Sequence, residues 1–451
     1  MATVEDTLKY IATNEIRWID LQFFDVTGNL NRTTIASRKL SELSFGSGIY
    51  TTDLKKVFGE SNGELLLRPD SDTLARIPWE QSSVRLICDV IQEKEGYPKD
   101  PRMVAQKTET AVKAAGLKMA KIGTEAEFCI FDSTTQDRTA PGRGTGILIE
   151  SREAEWSPTT MHATRGAYVG QPYDTVYAAR TQMADMLEDS FGVLVDGHWH
   201  GKNITGQQVM QIKERNMVGA GDALNTLKFV ARNLTAAVNA SATFMPLPVS
   251  GEKGNSLNIA MSLWKTSDSN YFYEGTDEYC QLSQSGRYFI GGLLEHANAL
   301  SLFTAPTSNS YKRLMAEETV VGWSAHQTNA LVQVPCGKKN MKEVKRVVYV
   351  ADPSVNPYLA FGVIMAAGLD GLKNKIDPGD PLDQAGKKKR NYKDLPRNLY
   401  EAAEALESDT KFLTTIMPKE ILGDYLDLKL GEFKESQKSP NQYEFRKYYN
   451  V

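Results

Sequence analysis

Two carboxylates set two residues apart, Glu125 and Glu127, are the first candidates for chemistry. They lie in LKMAKIGTEAEFCIFD, a stretch that reads as a strand with its charged residues on one face. Side chains alternate along a strand, so both carboxylates project from the same face, as two neighbouring divalent cations would require. The alternative is a polar wall in which they face cations of the chain, because unpaired buried carboxylates are costly. Lys253 and Lys345 are the candidate partners. Imidazole is scarce: the five histidines are His162, His198, His200, His296 and His326. In His198-Trp199-His200-Gly201, alternation sends both rings to the face opposite Gly201, which argues against a two-histidine metal site. Cys88, Cys129, Cys280 and Cys336 are far apart and form no CxxC pair, so buried free thiols are expected.

The elements that must position these residues follow from local signals. Residues 4–14 read as a short helix, and IRWIDLQFFDVTGNLNRTTI as a hairpin turning at Thr27-Gly28-Asn29. GELLLRPDSDTLARIPW and VRLICDVI are strand-rich, and the charged tract at 92–102 marks a boundary between units 1–102 and 103–451. Met103 to Ala115 has helical spacing ending at Gly116. Residues 133–170 read as a surface excursion, Tyr173 to Phe191 as a helix and VLVDGHWHGKN as a strand. The stretch from Met210 to Ala240 reads as one long helical region, SLNIAMSLWK as a strand, and the chain after Asn356 as mostly helical with a polar loop at 374–394.

At 451 residues the chain exceeds what one core usually serves. Its 41% hydrophobic and 24% charged residues are those of a soluble globular protein. A net charge of −4 gives no basic field for nucleic acid or an anionic membrane, and the run Lys387 to Arg390 reads as a solvated loop. No segment approaches a membrane span and the N-terminus has no apolar leader, which implies a cytoplasmic protein.

Several phrases, taken in order, resemble the glutamine synthetase family: VRLICDV then DPR, ATFMPLP followed by MSLW, NSYKRL, and DPSVNPYLAFG. The resemblance implies an α+β fold with a small N-terminal β-grasp domain and a large catalytic-type domain whose curved antiparallel sheet lines an ATP- and metal-filled funnel. The family's chemistry is phosphoryl transfer to a glutamate carboxylate followed by attack of ammonia, with divalent cations offsetting phosphate charge.

Against that pattern much is missing. The GxExEF phrase survives as Gly123 to Phe128 with Glu125 and Glu127, a remnant metal pair. The two carboxylates of the next metal phrase are replaced by Gly201 and Val209, and the two histidines ahead of the Ser-Leu pair by Asn258 and Ala260. The Arg-Ile-Glu-Val-Arg phrase, read without a gap from Asp352, puts Val347 at the glutamate and Tyr349 at an arginine. The arginine-rich segment reads Gln327, Thr328, Asn329 and later Gln333, and the ammonium-site loop has Phe45 in place of a carboxylate. Remnant roles remain for Ser262 and Lys345 toward nucleotide and for Arg313 toward substrate, with a structural salt bridge as the alternative for Arg313. Glu317 or Glu318 is a poor stand-in for the flap acid. Asp352, Pro353, Asn356, Pro357 and Tyr358 read as turn and helix-start residues.

The expectation is a non-catalytic assembly or regulatory protein of nitrogen metabolism, with no cofactor. A divergent ATP-dependent glutamate-amine ligase, which alone would need Mg²⁺ and ATP, and a small-molecule sensor using the emptied funnel are the alternatives. The resemblance further implies a hexameric ring, stacked into a dodecamer, and the non-catalytic expectation adds association with an active paralogue. Phe45 then adds apolar area at the subunit contact, and the tail YEFRKYYNV docks one ring on another.

Overall fold

The computed structural model describes residues 3–448 apart from 52–53, 60–62, 137–146, 158–166, 204, 338–341, 343, 385–391 and 439. The Lys387 to Arg390 run lies outside the described residues.

The chain opens with α1 (Val4–Thr13), started by a Thr3/Asp6 capping box. Strands β1 (Trp18–Phe24) and β2 (Leu30–Ala36) form the expected antiparallel hairpin. Asp25 builds its turn, its Oδ1 accepting from the amides of Thr27 and Asn29 at 2.9 Å. Gly28 has φ +86°, and a Cβ there would lie 2.9 Å from the Cα of Asn356. There follow α2 (Glu42–Ser47), β3 (Ile49–Tyr50), α3 (Leu54–Phe58), β4 (Leu65–Pro69), β5 (Ala75–Arg76), β6 (Ser83–Gln92) and β7 (Glu95–Gly96). The sheet order is β2-β1-β6-β4-β3, with β1 and β6 parallel and β5 and β7 on β6. Its inner face holds a core of its own, including Ile19, Leu21, Leu67, Val84 and Leu86.

The rest begins with α4 (Pro101–Ala114), capped by Asp100 with Pro101 in the first turn, then β8 (Met119–Phe131). A hairpin of β9 (Ser133–Gln136) and β10 (Ile147–Glu150) lies inside the surface excursion, followed by α5 (Tyr177–Asp189) and β11 (Val195–His200). The long helix expected from Met210 is corrected: β12 (Gln207–Arg215) is a strand between β11 and β8, and only at the Asn216 cap does α6 (Met217–Ala237) begin. Two open strand edges on either side provide ladder partners that outweigh local propensity. The second sheet is completed by β13 (Ser241–Thr243), β14 (Leu257–Thr266) and β15 (Ser269–Asn270). Helices α7 (Gln284–Glu295), α8 (Ala297–Thr304) and α9 (Ser308–Ala316) lead to β16 (Val320–Ser324), β17 (Ala330–Gln333) and β18 (Val347–Ala351). The chain closes with α10 (Pro357–Asn374), α11 (Leu399–Ser408), α12 (Lys419–Ser436) and α13 (Gln442–Tyr448).

The large sheet runs β11-β12-β8-β14-β18-β17-β16. It is curved and mixed rather than antiparallel, because β17 starts again beside the start of β16 and the two run parallel. Helices α4 and α6 cover one face, and α10 packs on both of them and on α7. The α7–α10 crossing needs glycine: a Cβ on Gly292 would sit 2.1 Å from the Ala367 carbonyl oxygen. Among the described residues no helix is long and apolar enough to cross a membrane.

The expectation of four free thiols holds for Cys88 and Cys129, which are buried, and fails for Cys280 and Cys336, which form a disulfide with Cα atoms 4.8 Å apart across 56 residues of sequence. The pairing is tertiary, so spacing could not reveal it.

Buried charge joins the two sheets. Arg102, 2% exposed, bonds Asp70 and Asp89 at 2.6 Å and Asp222 at 2.9 Å, while Tyr358 donates to Asp222 at 2.6 Å. As expected, Asn356 caps α10, and it also donates to the carbonyls of Asp25 and Val26 at 3.1 Å. Farther out, His296 is clamped by Asp409 at 2.6 Å and Asp370 at 3.1 Å and stacks on Phe412.

Arg102→Met leaves Asp70 and Asp222 without their cation and Asp89 with Arg68 alone, at 3.0 Å. The expected cost is about 3–5 kcal/mol, read from the urea midpoint. For His296, burial works against the charged ring, but Asp409 and Asp370 raise its pKa above 6.5. A raised folded-state pKa stabilises fully below the unfolded value and ceases to as pH rises through the folded one. His296→Gln should therefore cost about 2 kcal/mol near pH 5.5, the gap in melting temperature shrinking as pH climbs past neutrality.

Candidate functional site

Away from the helices, the large sheet presents a face on which β8 contributes Glu125 and Glu127, β12 contributes Val209 and Gln211, and β14 contributes Asn258 and Ala260. Glu127 lies opposite Val209, and Glu125 is flanked by Gln211 and Asn258. Strand β18 corrects the ungapped reading. Asn258 pairs with Val350 and Ala260 with Val348, so those two valines share the face, with Gln333 beside Val348. Val347 and Tyr349 point the other way, fully buried against the helices. The residues that β18 turns toward Asn258 and Ala260 are thus apolar, Val350 and Val348.

The carboxylates have partners that the sequence did not single out. Glu127 Oε2 accepts from the Ser256 amide at 2.7 Å, the Ser256 hydroxyl at 2.9 Å and Gln207 Nε2 at 3.3 Å, with Lys202 Nζ at 3.8 Å. Lys202 also meets Glu317 at 2.8 Å. Glu317 pairs with Arg313, and Arg313 with Asp352. The result is a line of alternating charge, Glu127, Lys202, Glu317, Arg313, Asp352, running from the sheet face into the protein. Burial raises the pKa of Glu127 against the pull of Lys202. Burial lowers that of Lys202, but Glu127 and Glu317 carry it above the ordinary lysine value. Glu125 is raised by burial despite accepting from Asn258 Nδ2 at 3.0 Å.

Of the expected cationic partners, Lys345 instead donates to the Pro335 carbonyl at 3.0 Å, its pKa lowered by burial to about 8. The Lys253 backbone amide donates to Asn203. The signal for Lys202 was its place directly after Gly201, beside the surviving acids in the fold.

Divalent cations do not fit this donor set. Asn258 turns an N–H toward Glu125, Lys202 brings a full positive charge to Glu127, and Val209 and Val348 offer no oxygen. Among the described residues no group of three or more His, Cys, Asp or Glu side chains is placed to hold a metal ion. At Gly201 the room is filled as well: a Cβ would lie 2.3 Å from Gln207 Oε1, which accepts from the Asn203 amide at 2.8 Å. His198 and His200 lie on the opposite face, where His198 accepts from Arg180 at 3.1 Å and His200 faces Glu153 at 3.4 Å.

The remnant positions are engaged elsewhere. Ser262 is buried and accepts from Trp264 Nε1 at 2.9 Å. Arg313 is fully buried with its two carboxylates, the salt-bridge alternative. Thr328 is exposed, its carbonyl accepting from Gln333 at 3.0 Å. Phe45 on α2 is half-buried against the small core of its own chain.

Removing Glu127 as a like-charge neighbour of Glu125 would stabilise a bare pair, but Glu127 is not bare. Glu127→Ala orphans the Ser256 amide and hydroxyl, while Gln207 Nε2 keeps the Gly254 carbonyl and Asn255, and it should cost about 1–3 kcal/mol in thermal or urea unfolding. Millimolar MgCl₂ should leave the melting temperatures of both proteins unchanged. A Mg²⁺-dependent rise in the parent alone would mean that a metal, not Lys202, neutralises the site.

The family profile described as "Glutamine synthetase, catalytic domain" matches residues 98–448. The chain is 37% identical over 462 residues to the glutamine synthetase of Sulfolobus acidocaldarius, covering 98% of each chain. It superposes on a cryoEM structure of Plasmodium falciparum glutamine synthetase with TM-score 0.90 at 23% identity, covering 100% of this chain and 99% of that one. On a structure described as apo GmaS without ligand the TM-score is 0.81, also at 23% identity and covering 100% of each. The profile match over most of the length and the full-length relative together place this chain in the glutamine synthetase family.

Proposed function

We propose that this member of the family does not run the family's phosphoryl transfer and serves as a non-catalytic assembly or regulatory protein of nitrogen metabolism. The observation that carries this reading is Lys202, whose ammonium stands between Glu127 and Glu317 on a face where Glu125, Gln211 and Gln333 are joined by Val209, Asn258, Ala260, Val348 and Val350. Phosphoryl transfer depends on cations and arginines arranged around a triphosphate. A single ammonium fixed by two carboxylates of its own chain is not free to take that part. Losing one donor to a transition state commonly costs about 10²–10³ in rate, and here several positions are without one.

The division of the chain stays at residue 102 in this reading, and the assembly is a ring, stacked in pairs. Leu43 and Tyr50, 76% and 61% exposed, with Trp18 at 44%, leave an apolar surface on the N-terminal sheet and its helices that a neighbouring copy would cover. Tyr443 and Tyr448 on α13, 65% and 51% exposed, suit the contact between rings. A closed ring satisfies every copy of such a head-to-tail contact. Association with an active paralogue would use the same surfaces.

Calorimetric titration of the purified protein with ATP and MgCl₂, together with an assay for glutamine and γ-glutamyl phosphate, tests the reading directly. The expected result is no saturable nucleotide binding and no product. Turnover within about a hundredfold of a typical enzyme, near 10 s⁻¹, would overturn it, and product formed with an organic amine in place of ammonia would favour the divergent ligase. Mass photometry should show a ring rather than a monomer or dimer.

A further inference from the structure

In the helical layer, on the other side of the large sheet from Glu125, α4 and α10 cross closely at Gly362, where a Cβ would meet Val104 Cγ1 at 3.1 Å. Toward the C-terminal ends of both helices the facing side chains shrink to Ala111, Ala114 and Ala366, and a cavity of about 760 Å³ opens between them and the turn that follows Lys411. Leu369 and Phe412 are among its apolar walls. Its size and lining are those of a site for a small molecule rather than a packing void.

Charge decides what class of molecule fits. Lys107, Lys373 and Lys411 line the cavity, all three are exposed, and none has an ion-pair partner among the described residues. The acid in the lining, Asp370, shares the His296 ring with Asp409, at 3.1 and 2.6 Å, and accepts from Asn374 Nδ2 at 2.9 Å, so with the ring protonated this cluster carries one net negative charge. The C-terminal ends of α4 and α10 each add roughly half a negative charge. Three ammonium groups outweigh that sum, so the mouth is positive over an apolar floor.

We propose that this cavity binds a small amphipathic carboxylic acid, its apolar body lying between α4 and α10 and its carboxylate among Lys107, Lys373 and Lys411. The site is independent of the chemistry of the Glu125 face, and it stands whether or not that face is catalytic. A medium-chain acid matches in both respects: a flexible hydrocarbon body fills an alanine-lined slot, and a single negative head meets the lysines. A second copy of the chain is a poorer occupant, since the concavity is bordered by three like charges that a flat apolar contact would desolvate.

The test titrates the full-length protein calorimetrically with sodium decanoate below its micelle concentration, with decylammonium chloride as the charge-reversed probe. Decanoate should saturate at one per chain and bind more tightly than decylammonium by about tenfold or more. The double variant Lys373→Glu/Lys411→Glu, altered only at exposed positions, should weaken decanoate by about tenfold. Ala366→Phe, which fills the slot, should abolish binding with the melting curve retained; if that variant does not fold, the lysine pair alone decides. No saturable decanoate binding, decylammonium binding as tightly, or charge reversal without effect would each overturn the proposal. So would a change of oligomeric mass in Ala366→Phe, which would assign the cavity to a neighbouring copy.

Discussion

A guanidinium buried among three carboxylates fixes how the two sheets of this protein sit on each other. Arg102 starts α4, Asp70 and Asp89 belong to the small sheet and its edge, and Asp222 lies on α6. Removing such charges from water costs several kcal/mol per ion and is offset only when every partner is in place. The arrangement is therefore all or none. Tyr358 extends it into α10, whose cap Asn356 holds the tip of the first hairpin, so one network spans the chain from Asp25 to Tyr358. A second buried pair, Arg313 with Asp352, ties α9 to the β18–α10 turn and continues through Glu317 and Lys202 to the sheet face.

These networks explain which parts of the sequence could be read. The phrases that carried the family resemblance contain Asp89, Arg102, Arg313, Asp352 and Asn356, and these residues work as structural ties. Fold was legible because the ties are local phrases. The first hairpin, β8 and the cap of α10 were legible for the same reason, each being specified by period or by cap chemistry within a few residues. What escaped was set by distant partners. Strand β12 has a composition compatible with a helix, and only the neighbouring edges of β8 and β11 select the extended form. The disulfide joins residues 56 apart, which no spacing rule connects.

Which residues share a face was more legible than the partners they find. Val209, Asn258 and Ala260 lie on one face with Glu125 and Glu127. On β18 the residues counted back from Asp352, Val347 and Tyr349, fall on the buried face, and a shift of one reverses the face of every side chain on a strand. The cross-strand partner Asn258↔Val350 settles the register where the sequence could not. Lys202 escaped because its role depends on Glu317, 115 residues away in the chain.

The two carboxylates of this face have a role in the backbone itself. The Glu127 amide donates to the Ser256 carbonyl at 3.0 Å, and the Glu127 carboxylate accepts both the Ser256 amide and its hydroxyl. Ser256 lies just before β14, where the ladder with β8 begins at the Leu257↔Ala126 pair, and its amide would otherwise be a buried orphan donor. Glu127 thus closes the end of a ladder, and Lys202 supplies the charge that makes a buried carboxylate tolerable there. Glu125, opposite Asn258, is held by a side-chain amide that can donate where a neutral imidazole in one tautomer could only accept. The Asn258 amide satisfies Glu125 directly, and the face is self-neutralising: each acid is matched by a donor or a charge from the chain itself.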